Sequence, residues 1–89
     1  MPSLRRLSDG AGDSGAMSVA MRLSVSGDGW VVEGERPIVG CVMKVGSISA
    51  RSYSYQDWWM TTEVTEILED TPEMVRFLTR SGSEYEWKC

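Results

Sequence analysis

Histidine is absent from this 89-residue chain, and cysteine is scarce, with Cys41 and Cys89 as the two examples. Without imidazole there is no side chain that ordinarily titrates near neutral pH, no Ser-His or Cys-His activation, and no first-choice zinc ligand. Two distant cysteines supply neither a CxxC pair nor the four thiolates of a structural zinc site. Basic residues are also short, nine Lys and Arg against thirteen Asp and Glu for a net charge of -4. That balance excludes a sequence-independent grip on a phosphate backbone, which depends on clustered cations. Glycine gives only the turn Gly27-Asp28-Gly29, without the rest of a dinucleotide or P-loop pattern. The expectation is a protein that is not an enzyme, with no metal and no cofactor. No apolar run reaches the roughly 18 residues of a membrane helix, and no apolar segment of signal-peptide type follows Arg5 and Arg6. The reading is therefore cytoplasmic.

What remains is an ordinary globular composition, 42% apolar and 25% charged. A chain this short holds one core that supplies about 3–5 kcal/mol, so self-association is an expected supplement. Residues 1–20 are rich in Gly, Ser, Asp and Ala with no apolar period, and read as a flexible N-terminal tail. Met17 and Met21 are alternative starts to Met1. The domain proper is then 21–89, and it carries the whole net charge, because Arg5 and Arg6 balance Asp9 and Asp13. Between Asp57 and Glu73 stand six acids and no base. They read as a solvated face first and as a docking surface for a basic partner second.

Alternation of apolar and polar residues over Met21-Arg22-Leu23-Ser24-Val25-Ser26, then the glycine turn, then Trp30-Val31-Val32-Glu33, predicts a β-hairpin. Residues 37–45 are rich in β-branched side chains and predict a central strand covered on both sides, with Cys41 as a buried thiol. A further extended segment is expected over 48–53. Residues 57–80 carry two competing periods. Met60, Val64, Ile67 and Leu68 fall at helical spacing, and Thr71-Pro72-Glu73 resembles a helix start. Thr61, Thr62, Val64, Thr65 and Ile67 are β-branched, while Val75-Arg76-Phe77 and Tyr85-Glu86-Trp87 alternate as strands around Ser81-Gly82-Ser83. An α+β fold with a helical hairpin at 57–80 is thus the alternative to a mainly β one.

The string Val45-Gly46-Ser47-x-x-Ala50-Arg51-Ser52-Tyr53-x-x-Gln56-Asp57-Trp58-Trp59-x-Thr61-Thr62-x-Val64-Thr65-x-Ile67-Leu68-Glu69, with Val75-x-Phe77-x-Thr79 and Ser83-x-Tyr85-x-Trp87 after it, resembles a group of small uncharacterised bacterial proteins. Its members are encoded on phages, plasmids and integron gene cassettes. The resemblance covers about 37–88 and implies strands in the contested region. It favours a small curved antiparallel sheet or an SH3-like barrel. The tract from Leu78 to Ser83 is one or two residues longer than the tight turn associated with the group. Such genomic habit implies a non-catalytic binding module that contacts a host protein or a small metabolite, and carries no activity with it.

Four tryptophans in so short a chain are the main local excess. Trp30 and Trp87 lie in alternating strands and are expected in the core. Trp58 and Trp59 are adjacent, so in a strand one faces inward and the other outward. Rings, a guanidinium and short polar donors together make an interface composition, which selects Arg51, Ser52, Tyr53, Tyr55, Gln56, Asp57, Trp58 and Trp59 as the partner or ligand site. Stacking of single-stranded nucleic acid on those rings lacks the positive groove it needs. Glu63 and Glu66 would point to opposite faces of a strand, which argues against a catalytic carboxylate pair. The remaining alternative is a self-assembling structural oligomer with no external ligand.

Overall fold

The computed structural model describes residues 2–46 and 58–89, and it is all-β over them. The strands are β1 (Ser3–Arg6), β2 (Gly12–Ser14), β3 (Met17–Leu23), β4 (Trp30–Gly34), β5 (Val42–Gly46), β6 (Trp58–Met60), β7 (Val64–Asp70), β8 (Met74–Thr79) and β9 (Glu84–Lys88). They form two antiparallel sheets, one ordered β2-β1-β9-β8-β7 and the other β4-β3-β5-β6. This is the mainly β architecture that the sequence favoured, compatible with a small curved sheet or barrel. The region 57–80 contributes strands where it is described, and the helical hairpin is overturned there. β-Branched residues prefer the pleated backbone. Thr71-Pro72-Glu73 makes a tight turn, with the Met74 amide donating to the Thr71 hydroxyl, instead of starting a helix. Among the described residues no helix is long and apolar enough to cross a membrane.

Residues 1–20 differ most from expectation. Over the described residues 2–20 the chain forms β1, β2 and the first part of β3 instead of a flexible tail: β1 pairs with both β2 and β9, and Leu4 is fully buried, paired across the ladders with Trp87 and Asp13. One large apolar side chain and the ladder to β9 suffice to order a segment whose composition reads as linker. Gly12 allows the close approach, since a Cβ there would lie 1.8 Å from the Leu4 carbonyl oxygen.

The sheets meet over Leu4, Ala20, Met43, Val45, Val75 and Phe77, with Tyr85 stacked on Phe77 at 5.6 Å between ring centroids. The hairpin β3–β4 forms around Gly27-Asp28-Gly29 as expected, and Gly82 takes a positive φ of 85° in the β8–β9 turn. That turn sets a register pairing Phe77 with Tyr85 and Val75 with Trp87. The central strand is shorter than 37–45, because Pro37 to Cys41 is loop, and its two faces are unequal. Met43 and Val45 point into the core, whereas Val42 and Lys44 are only half-buried.

β6 and β7 are two parts of one run that changes sheets at Thr61-Thr62-Glu63. The Thr61 amide donates to the Met43 carbonyl at 2.8 Å, and the Thr61 hydroxyl accepts from the Met43 amide at 3.0 Å. The Val64 amide then donates to the Cys41 carbonyl at 2.8 Å. This corner ties one sheet to the other. β7, the outer strand of the five-stranded sheet, is broken by two register shifts and carries Glu66, Glu69 and Asp70, the kind of edge that resists pairing with another chain.

Candidate functional site

Of the sequence-predicted site, Arg51, Ser52, Tyr53, Tyr55, Gln56 and Asp57 lie outside the described residues, as does the extended segment expected over 48–53. Trp58 and Trp59 are described, and they do face opposite ways. Trp59 pairs with Val45, packs against the core, and donates its indole N–H to the Tyr85 hydroxyl at 3.1 Å. Trp58 pairs with Gly46 on the other side of the sheet, half-buried, with the Lys44 ammonium 4.4 Å from its ring centroid. That spacing is cation–π contact.

Trp58 belongs to a larger feature that the sequence reading missed. In β3 the period-two pattern is present with its facing reversed. The small residues Ser18 and Ala20 point inward and are buried, so the larger Met17, Val19, Met21 and Leu23 take the outer side. Cross-strand pairing places Val42 beside Met21, Val32 on Met21 from the opposite neighbour, Trp30 on Leu23, and Met60 on Lys44. Trp30 is therefore a correction: it is 50% exposed, alongside Leu23 at 55% and Val32 at 59%. The outer face of the four-stranded sheet is largely apolar, with Lys44 beside Trp58 and the charged side chains Arg22, Glu33 and Glu63 gathered at one end.

The inward facing of Ser18 has a local cause. Its hydroxyl accepts the Trp87 indole N–H at 2.9 Å and donates to the Glu35 carbonyl at 2.7 Å. A buried indole needs such an acceptor, and no larger apolar residue could supply it. Trp87 is buried, as expected for a core residue, and its ring is capped by the Arg36 guanidinium at 5.0 Å. Arg36 also binds the Asp70 carboxylate at 2.8 Å and the Thr71 carbonyl at 2.6 Å. At the opposite end Arg6 lies 5.2 Å from the Trp59 ring and holds Asp9 through two hydrogen bonds of 3.0 and 2.7 Å. Those bonds, with the Ala11 amide, pull the Asp9 carboxyl down to about 2.

The second outer face is of the opposite kind. On the five-stranded sheet Arg76 bridges Glu69 and Glu84, and Lys88 pairs with Glu86. A free-standing antiparallel sheet keeps polar side chains on its solvent side; one sheet here obeys and the other does not. Exposed contiguous apolar patches on small proteins mark contact sites.

At one end of the apolar face a groove of about 340 Å³ is lined by Met21, Arg22, Leu23, Trp30, Gly40, Val42 and Glu63. Arg22 is neutralised there by Glu33 at 3.1 Å. The nearby Cys41 is a free buried thiol whose pKa is raised, first by burial and then by the Glu33 carboxylate. Thiol reagents are expected to modify Cys89, which is exposed, at once and Cys41 only on unfolding, a contrast read from two-phase labelling by mass spectrometry. Because the folded thiol resists ionisation, its contribution to stability is complete below the unfolded pKa of about 8.5 and is lost as pH rises through the folded value.

Glu63 and Glu66 are exposed and placed on no common cleft. Comparisons with protein-family models, with curated proteins and with solved structures each return no match.

Proposed function

We propose that this chain is a non-catalytic binding module of the kind mobile genetic elements carry, acting in the cytoplasm and meeting a protein partner through the outer face of β4-β3-β5-β6. A single observation supports the reading: β3 places its large apolar side chains outward, where Val42 and Val32 flank Met21 and Trp30 flanks Leu23, a contiguous apolar patch of the kind that marks a contact site. A host protein with an apolar surface is the first partner class. A small metabolite with an apolar body is the second, favoured by a groove whose volume lies within the ~300–1,000 Å³ of ligand pockets.

The test is a photoreactive phenylalanine analogue placed at Trp30, with the same analogue at Glu86 on the charged face as a control. Adducts of defined mass at position 30 and none at position 86 are expected. Equal labelling from both faces would remove the assignment. In the same protein, Leu23→Ser with Trp30→Ser is expected to change stability by only about 0.5 kcal/mol, the scale of surface substitutions, while abolishing the adducts' wild-type counterpart in a pull-down.

A further inference from the structure

We infer that the free edge of β4 pairs with β4 of a second copy, joining two four-stranded sheets into one antiparallel sheet about a two-fold axis. The contact uses the backbone edge of the strand and stands whether or not the outer face has a partner. The other three outer strands offer no open edge of this kind. β2 and β6 lie against one another where the two sheets close, and β7 is bent by its two register shifts and bears Glu66, Glu69 and Asp70. β4 has no such cover among the described residues. Trp30-Val31-Val32 are strand formers without proline or lysine, and the one register shift of the strand comes after them.

The hydrogen-bond phase of the β3–β4 hairpin fixes which groups that edge presents. The Ser24 amide donates to the Gly29 carbonyl at 2.8 Å, so the next bonded pair of the ladder is Arg22 with Val31, and Leu23 with Trp30 and Met21 with Val32 are the non-bonded pairs. The amide and carbonyl of Trp30 and of Val32 therefore point away from β3, and none has a backbone partner among the described residues. Such a row of groups is matched by another extended backbone. A two-fold axis through Val31 sets Trp30 of each copy opposite Val32 of the other, and all the outward groups bond at once. The side chains suit that register. Each indole meets a β-branched neighbour, Val31 meets Val31, and Glu33, held by Arg22 at 3.1 Å, falls opposite Gly29 and not opposite another carboxylate. This fit of the strand to itself selects a second copy over an unrelated strand.

Site-directed disulfide linking in the full chain tests this, in a Cys89→Ser background that removes the exposed thiol and leaves Cys41 buried. Directly opposed residues of a non-bonded antiparallel pair have Cα atoms about 4.5 Å apart, within the range a disulfide spans. Val31→Cys is therefore expected to give, with oxidised glutathione as the oxidant, a linked species of twice the chain mass of 9.9 kDa. Glu33→Cys is expected not to link, since its two copies lie four residues apart, about 13 Å along the strands. Chance collision gives the reverse order, because Val31 is half-buried and Glu33 exposed. Adding Val32→Pro to Val31→Cys removes an outward N–H from each copy while sparing the β3–β4 ladder, and is expected to slow linking about 10-fold, as for two lost hydrogen bonds. Should that variant misfold by circular dichroism, Val32→Lys, an edge lysine of the sort that blocks strand pairing, serves in its place. Linking by Glu33→Cys as fast as by Val31→Cys, no linking by either, or linking by Val31→Cys that the position-32 substitution leaves unchanged each overturns the pairing. If position-30 adducts with another protein persist in a chain that does not link, the edge pairing alone falls and the binding-module reading stands.

Discussion

Phe77→Ala is expected to leave a chain with no cooperative thermal transition. The ring is fully buried at the centre of β8, stacked on Tyr85 and placed beside Ile67 of β7 by the cross-strand register. Removing a buried aromatic costs about 3–5 kcal/mol, because the lost contacts and the cavity left behind add together. A core of this size supplies about the same amount in total. Near-ultraviolet circular dichroism should lose its aromatic signal at 25 °C, while Phe77→Leu, closer in volume, retains a transition at lower temperature. A Phe77→Ala protein that melts cooperatively within a few degrees of wild type would mean that the two sheets are not held by this layer.

Leu4→Ala is the second large effect, expected at about 3 kcal/mol in urea unfolding, within the usual range for a buried leucine. Leu4 is the side chain by which β1 enters the core, and β1 in turn carries β2. Were residues 1–20 a loose tail, the same substitution would cost less than about 0.5 kcal/mol. The two outcomes are separated by several times the error of the measurement, so one titration decides whether the domain begins near residue 3 or near residue 21.

The sequence made the local hairpins legible and left the global facing hidden. Gly27-Asp28-Gly29 and Ser81-Gly82-Ser83 are turn chemistry, acting over a few residues, and both turns are where the pattern placed them. The β-branched run after Trp59 outweighed the helical spacing for the same local reason. Residues 3–6 gave no such signal, since their order comes from pairing with β9 at the far end of the chain. Trp30 failed differently. Alternation tells which residues share a side of a strand but not which side meets the core, and the usual assumption that the larger side chains go inward is reversed in β3 by the need of Trp87 for the Ser18 hydroxyl. Of the predicted site only Trp58 and Trp59 fall within the described residues, and the indole pair divides between the core and the apolar face as period-two facing requires.

The adjacency of β1 and β9 also bears on how the protein comes to be folded. The β1–β2 hairpin joins the rest of its sheet through the trailing strand, so most of the chain must be looped before that ladder can form, and loop closure is an entropic charge levied ahead of any reward. Topologies of this kind cross a slow, late barrier in milliseconds to seconds. Until then the open edge of β9 is bare, and that waiting period, rather than the finished molecule, is when the chain is most exposed to misassembly.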